Sequence, residues 1–191
     1  MKISRLVSKI PGSATLALAA KVNDLKAQGR DIIGFTAGEP DFDTPETVKE
    51  AAVEALRQGM TKYTPVGGTP QLKEAVCAAF ERDYGMKIGP ENVIVSCGAK
   101  HSIYNAMQAV VDPGDEVIIP APYWVSYPEQ ALLAEGKPVI VATDESTGFR
   151  MSAAQFRDAC TPRTKMLVLN SPSNPTGGVY ERADLEAIAA V

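Results

Sequence analysis

Glu116-Val-Ile-Ile-Pro-Ala-Pro-Tyr-Trp-Val-Ser-Tyr-Pro128 is the stretch on which the fold turns. Glu116 to Ile119 reads as a short strand, and the proline-rich stretch Ala121-Pro-Tyr-Trp-Val-Ser-Tyr-Pro128 that follows it cannot continue one. Ser126 opens a helical stretch to about Ala134, and Lys137 to Val141 reads as the next strand. Strand, loop, helix and strand in that order make the repeating unit of a mostly parallel sheet with crossover helices.

The same alternation extends outward in both directions. Val93 to Ser96 and Met166 to Leu169 are further strand candidates, with helices expected at about Ala99 to Val111 and Ser152 to Ala159. Asp112-Pro-Gly-Asp115 fits the short connections of such folds. Glu181 begins a last helix, which runs to the final residue, Val191. Towards the N-terminus, Pro70 opens a helix to about Tyr84, and Thr44-Pro45-Glu46 starts another that runs to Gln58. Ser13 to Gln28 reads as a helix stopped by Gly29, preceded by an N-terminal arm, and Asp31 to Phe35 as a short strand. Thr36 to Pro45 is a loop dense in turn formers. A unit that ends on its helix leaves the sheet with an unpaired edge, so the sequence is expected to be the front part of a larger fold. An α/β domain that ends naturally on a helix is the alternative.

Composition narrows the functional classes. The 191 residues carry a formal charge of -4 and are 45% hydrophobic, which suits a globular chain with a real core and offers no broad attraction to nucleic acid or anionic membrane. Anion recognition must therefore be local. Cys77, Cys97 and Cys160 are far apart and lack C-x-x-C spacing, and His101 is the sole histidine, so neither a disulfide framework nor a metal site is expected. There is no signal-like apolar region at the start and no stretch long enough for a membrane span, which reads as a soluble, cytoplasmic protein.

Three segments could carry chemistry. Ser96-Cys-Gly-Ala-Lys-His101 lies where a strand is expected to turn into a helix, so free amides at the helix start, Ser96 and Lys100 could face one phosphate; a tight turn at Gly98 is the plainer alternative. Trp124, the only tryptophan, lies on a loop at the C-terminal end of a strand, the edge where open α/β sheets place ligands. It could stack on a planar ring or simply pack in the core. Asn170-Ser-Pro-Ser-Asn-Pro-Thr-Gly-Gly178 also follows a strand, and its prolines and glycines bring Asn174 to the same edge, to serve a ligand or a turn.

Read together, Ala37-Gly-Glu-Pro-Asp-Phe, Lys62-Tyr-Thr-Pro-Val-Gly-Gly, Ser96-Cys-Gly-Ala-Lys, Asp112-Pro-Gly-Asp-Glu, Pro122-Tyr-Trp-Val-Ser-Tyr and Asn170-Ser-Pro-Ser-Asn-Pro-Thr-Gly resemble the class I aminotransferases, most closely the bacterial aspartate subgroup. The resemblance covers essentially the whole chain and corresponds to the first half of a family member. It implies the fold type I α/β architecture of transferases that depend on pyridoxal 5'-phosphate. Residues 1–45 would form the N-terminal arm and part of a small domain, and residues 46–191 the first part of the large cofactor-binding domain. By the same resemblance Gly98, Ala99 and Lys100 bind the cofactor phosphate, Trp124 stacks on the pyridine ring, and Asn174 bonds its phenolic oxygen. Tyr63 reaches the phosphate of a neighbouring subunit, which implies a homodimer with shared sites. Gly38 lies where the backbone approaches the substrate carboxylate, with Trp124 and Asn174 also facing substrate.

The resemblance also implies what is missing. Transamination needs a lysine to hold the cofactor as a Schiff base, and in the family that lysine lies beyond the point where this chain ends. Ser8-Lys9 lacks the family's following glycine and arginine, Lys100 is assigned to the phosphate, and Lys165 precedes a strand at the wrong end. No catalytic residue is therefore expected within these residues, and the chain alone is expected to be inactive. Pro11-Gly12 stands where several relatives carry Lys-Pro, which weakens any choice of dicarboxylate. The expectation is transfer between an L-amino acid, by default L-aspartate, and 2-oxoglutarate in the parent protein. The alternatives are a non-catalytic folded or dimerising module, or a relative acting on aromatic, alanine-type or prephenate-type substrates.

Overall fold

The computed structural model describes residues 2–12, 14–35, 38 and 40–191, and the described residues fall into two units: those within 12–96, and those of 97–191 together with 2–11. Ser13, Thr36, Ala37 and Glu39, where the sequence places a helix start and part of the turn-rich loop, lie outside the described residues.

The first unit is helical: α1 (Ala14–Ala27), α2 (Glu46–Arg57) and α3 (Pro70–Tyr84). The bounds of α3 follow directly from its residues. Thr69 Oγ1 accepts from the Leu72 amide at 3.4 Å, Pro70 occupies the first turn, and Gly85 ends the helix in the left-handed conformation at φ 67°. Acidic Glu46 in the first turn of α2 and Arg57 in its last suit the helix dipole.

Two expected strands do not form among the described residues of this unit. Asp31 to Phe35 and Val93 to Ser96 have strand-like composition, yet neither belongs to a ladder among the described residues. A strand exists only when a neighbour accepts and donates its backbone hydrogen bonds. The Val95 amide finds the Gly67 carbonyl at 3.0 Å, but no continuing ladder follows. Ile33, Phe35 and Ile94 are 79%, 92% and 75% exposed, so apolar composition here is not matched by cover.

The second unit builds the parallel sheet. After α4 (Ala99–Val110) come β1 (Glu116–Ala121), α5 (Ser126–Leu133), β2 (Lys137–Ala142), α6 (Ala153–Ala159), β3 (Thr164–Leu167) and α7 (Arg182–Ala189). The strands run parallel in the order β2-β1-β3, with Val117 opposite Pro138 on one side and Met166 on the other. Both β1-α5-β2 and β2-α6-β3 are the crossovers anticipated from the sequence. Pro138, which cannot donate to a ladder, lies on an outer strand of the three. Ser152 caps α6 in a reciprocal box with Gln155, and at the start of α7 the Asp184 carboxylate accepts from the Glu181 amide at 3.0 Å.

Alternation along β1 explains why it needs helices on both faces. Val117 and Ile119 join Met107, Val111, Tyr127 and Ala131, the side covered by α4 and α5. Ile118 joins Met151, Tyr180 and Ile188, the side covered by α6 and α7. All three β1 residues are fully buried, and each contributes about 1.5–3 kcal/mol relative to exposure.

The opposite end of the sheet from the site loops is fastened by one buried carboxylate. Glu116 accepts from Thr161 Oγ1 at 2.7 Å and from Lys137 Nζ and Arg163 Nη2, each at 3.1 Å. The Thr161 hydroxyl, with Lys137 next in weight, holds the Glu116 carboxyl down at about 2. β3 begins two residues earlier than the apolar run Met166–Leu169 suggests, because Thr164 already pairs with Glu116 across a local irregularity. The end of that run peels away towards the site.

Candidate cofactor site

Three loops of the second unit bring polar and aromatic groups to one end of the sheet. At the start of α4, Gly98 has φ 87° and ψ 165°, a combination open essentially to glycine alone. A Cβ at this residue would meet nothing within 4 Å, and no side chain caps the helix. The amides of Gly98, Ala99 and Lys100 have no acceptor among the described residues. An uncapped, open helix start of this kind favours an anion.

The second loop leaves β1 through Pro122, Tyr123 and Trp124. Trp124 is half-buried: it packs against the Met107–Tyr127 cluster, and the Tyr127 ring meets it edge-on at 5.5 Å and 77°. Lys100 Nζ lies 4.8 Å from the indole ring, joining the first loop to the second through a cation–π contact. Behind them the Gln130 amide donates to the Lys100 carbonyl at 2.8 Å, which fixes where α4 begins relative to α5. Burial pushes the Tyr127 phenol up, so it stays neutral beside the tryptophan.

The third loop runs from Asn170 to Gly178. Ser173 N–H donates to the Gly178 carbonyl at 2.8 Å, Gly177 N–H to the Ser173 carbonyl at 2.7 Å, and Asn174 N–H to Asn170 Oδ1 at 2.8 Å. Asn174 is exposed and lines a narrow cleft with Tyr123, Tyr127, Asn170 and Tyr180. The loop is backed by the turn around Gly148, whose carbonyl would lie only 2.8 Å from a Cβ at Gly178.

The second unit therefore contains Gly98, Ala99, Lys100, Trp124 and Asn174, with Lys100 against Trp124 and Asn174 beside the neighbouring Tyr123. Gly38 and Tyr63 belong to the first unit, where both are exposed. Sequence reading did not single out Asn170, Tyr123, Tyr127 or Tyr180. The spacing Asn170-x-x-x-Asn174 was a usable signal, since an Asn side chain can reach a nearby amide ahead of it. Nothing local announces that Tyr180 reaches the Met151 amide at 2.8 Å. Among the described residues no cluster of His, Cys, Asp or Glu could hold a metal ion, and no helix is long and apolar enough to cross a membrane.

Residues 30–191 match the family described as aminotransferase class I and II. The chain belongs to that family. Among aminotransferases it is 53% identical over 191 residues to the aspartate/prephenate aminotransferase of Nitrosomonas europaea, covering all of this chain and 48% of that relative. It is 51% identical to the aspartate aminotransferase of Geobacillus stearothermophilus over the same length, 49% of that protein. The solved aspartate aminotransferase of Thermus thermophilus with maleate superposes with a TM-score of 0.95 at 52% identity, covering all of this chain and 50% of that one. The chain spans about half the length of the curated relatives it matches, and it has the α/β fold of the aminotransferases over that span. Members of the aminotransferase family use pyridoxal phosphate.

Proposed function

We propose that this chain supplies the cofactor-facing part of a pyridoxal-phosphate transaminase that moves the amino group of an L-amino acid, by default L-aspartate, to 2-oxoglutarate. The observation that carries the reading is the juxtaposition of an uncapped α4 start, the Lys100 ammonium and the Trp124 ring at one sheet end. These groups fit a phosphorylated planar cofactor: unblocked amides and a cation for its phosphate, an aromatic face for its ring. Gly98, Ala99 and Lys100 would hold the phosphate, Trp124 would stack on the ring, and Asn174 would donate to the phenolic oxygen and favour its ionised form. When bound, the cofactor supplies the electron sink that amino transfer requires.

Within that reading, Gly38 leaves room for the substrate carboxylate, and Trp124 and Asn174 also face the substrate. Residues 1–45 form an arm with part of a small domain, and residues 46–191 belong to the large domain. Tyr63 serves the phosphate site of a second copy, in a homodimer with shared sites; its full exposure supports this role. Covalent attachment of the cofactor is assigned to no lysine of this chain, since Lys100 is committed to the phosphate and Lys165 lies on β3 away from the loop end.

The test is amino transfer by the whole protein with a panel of donors. Aspartate is expected to outpace phenylalanine and alanine. Faster transfer from either would overturn the aspartate assignment, and transfer from none would overturn the transaminase reading. Because the Nitrosomonas relative is named for both aspartate and prephenate, prephenate is a second acceptor to measure beside 2-oxoglutarate.

A further inference from the structure

Asn170 stands where the sheet gives way to the third loop. The Val168 amide still donates to the Ile118 carbonyl at 2.9 Å, so β1 holds the chain up to two residues before Asn170. Beyond that point the loop's closing bonds, Ser173 to Gly178 and Gly177 to Ser173, tie it to itself and not to the sheet. Among the described residues, the direct hydrogen bond from the strand end to Asn174 is the one in which Asn170 Oδ1 accepts the Asn174 amide at 2.8 Å. An N–H donor can be met only by the oxygen of the Asn170 amide, which fixes how that side chain faces.

We infer that Asn170 is a positioning residue for Asn174, carrying the rigidity of the strand end to the loop residue that meets the cofactor's phenolic oxygen. The inference rests on the proposed role of Asn174. The side-chain chemistry suits the task. Ala or Ser is too short to span the loop, and Leu matches the volume but offers no acceptor. Asp would keep the acceptor but bring a second negative charge into the cleft where the ring oxygen must ionise. Asparagine alone among these is long enough, neutral and an acceptor.

The test follows the ionised-phenol absorption of pyridoxal phosphate bound to the 191-residue chain as pH is varied, for wild type, N174A, N170L and the double variant. Loss of the Asn174 bond should raise the ionisation midpoint by about one pH unit. N170L should raise it comparably, and the double variant no further than the larger single change. A raised midpoint in N174A with an unchanged one in N170L, or fully additive shifts, would overturn the role of Asn170. An unchanged midpoint in N174A would instead overturn the role of Asn174 itself. Amide hydrogen exchange on the wild type needs no variant to fold. Asn174 N–H should exchange at least roughly tenfold more slowly than an unstructured amide, and exchange at the unprotected rate would refute the clamp.

Discussion

Replacing Gly178 with alanine should loosen the site through a contact far from any ligand. The new Cβ would lie 2.8 Å from the Gly148 carbonyl oxygen and 3.3 Å from Thr176 Oγ1. Ordinary carbon–oxygen contacts begin at about 3.3 Å, so the Gly148 turn or the Asn174 loop must retreat by about 0.5 Å. The Gly148 oxygen is backbone, which a rotamer change cannot relieve. Overpacking of this kind costs about 1–3 kcal/mol, or a melting point lowered by about 2–12 °C in a chain of this length. Gly178 also accepts the Ser173 amide that closes the loop, so the strain falls on the segment presenting Asn174. If the Asn174 bond to an ionised oxygen is lost with it, cofactor affinity should fall roughly ten- to a hundredfold. The assays are a thermal melt and a cofactor titration followed by the fluorescence of Trp124, the only tryptophan. Gly114→Ala is the control: its φ of 91° makes any side chain strained, but it precedes β1 at the opposite end of the sheet. It should lower the melting point and leave affinity unchanged. A G178A chain that melts like wild type, or that is destabilised yet binds cofactor within about twofold of wild type, would refute the coupling between turn and site.

Other outcomes follow from the core and the charges. Met107→Ala empties a fully buried position between α4 and β1 and should cost about 2–5 kcal/mol in urea unfolding. Glu116 is held at about 2 against an ordinary 4.5, a depressed folded-state value; its stabilisation is therefore complete above pH 4.5 and is lost as pH falls towards 2. Unfolding of Glu116→Gln should accordingly be less steep in pH across that window than wild type, and parallel curves would show that the Thr161, Lys137 and Arg163 contacts do not act. Borohydride treatment of the 191-residue chain with one equivalent of pyridoxal phosphate should leave no lysine stoichiometrically labelled after denaturation, by mass spectrometry; stoichiometric attachment at one lysine would contradict the reading that no lysine of this chain holds the cofactor covalently.

Legibility in the sequence followed the kind of information each element needs. α3 was readable to the residue because Thr69, Pro70 and Gly85 specify its ends locally. β1 and β2 were readable because apolar runs bounded by proline and glycine had neighbours to pair with. Asp31–Phe35 and Val93–Ser96 carried the same signal without a ladder among the described residues, and composition cannot report whether a partner is present. The site divided the same way. Gly98, Trp124 and Asn174 stand out as residue types on loops between periodic segments. Lys100 over Trp124, and Tyr180 beneath Met151, join positions far apart in the chain, and only the fold brings them together.

The most direct measurement is a titration of the 191-residue chain with pyridoxal phosphate, reading the quenching of Trp124. Saturable quenching at one cofactor per chain is expected, displaced by inorganic phosphate and weakened about tenfold or more in Lys100→Ala, where the charge-assisted contact to phosphate is gone. Quenching that rises linearly without saturation, or that saturates equally well in Lys100→Ala and in the presence of phosphate, would contradict a cofactor held between the start of α4 and the Trp124 ring.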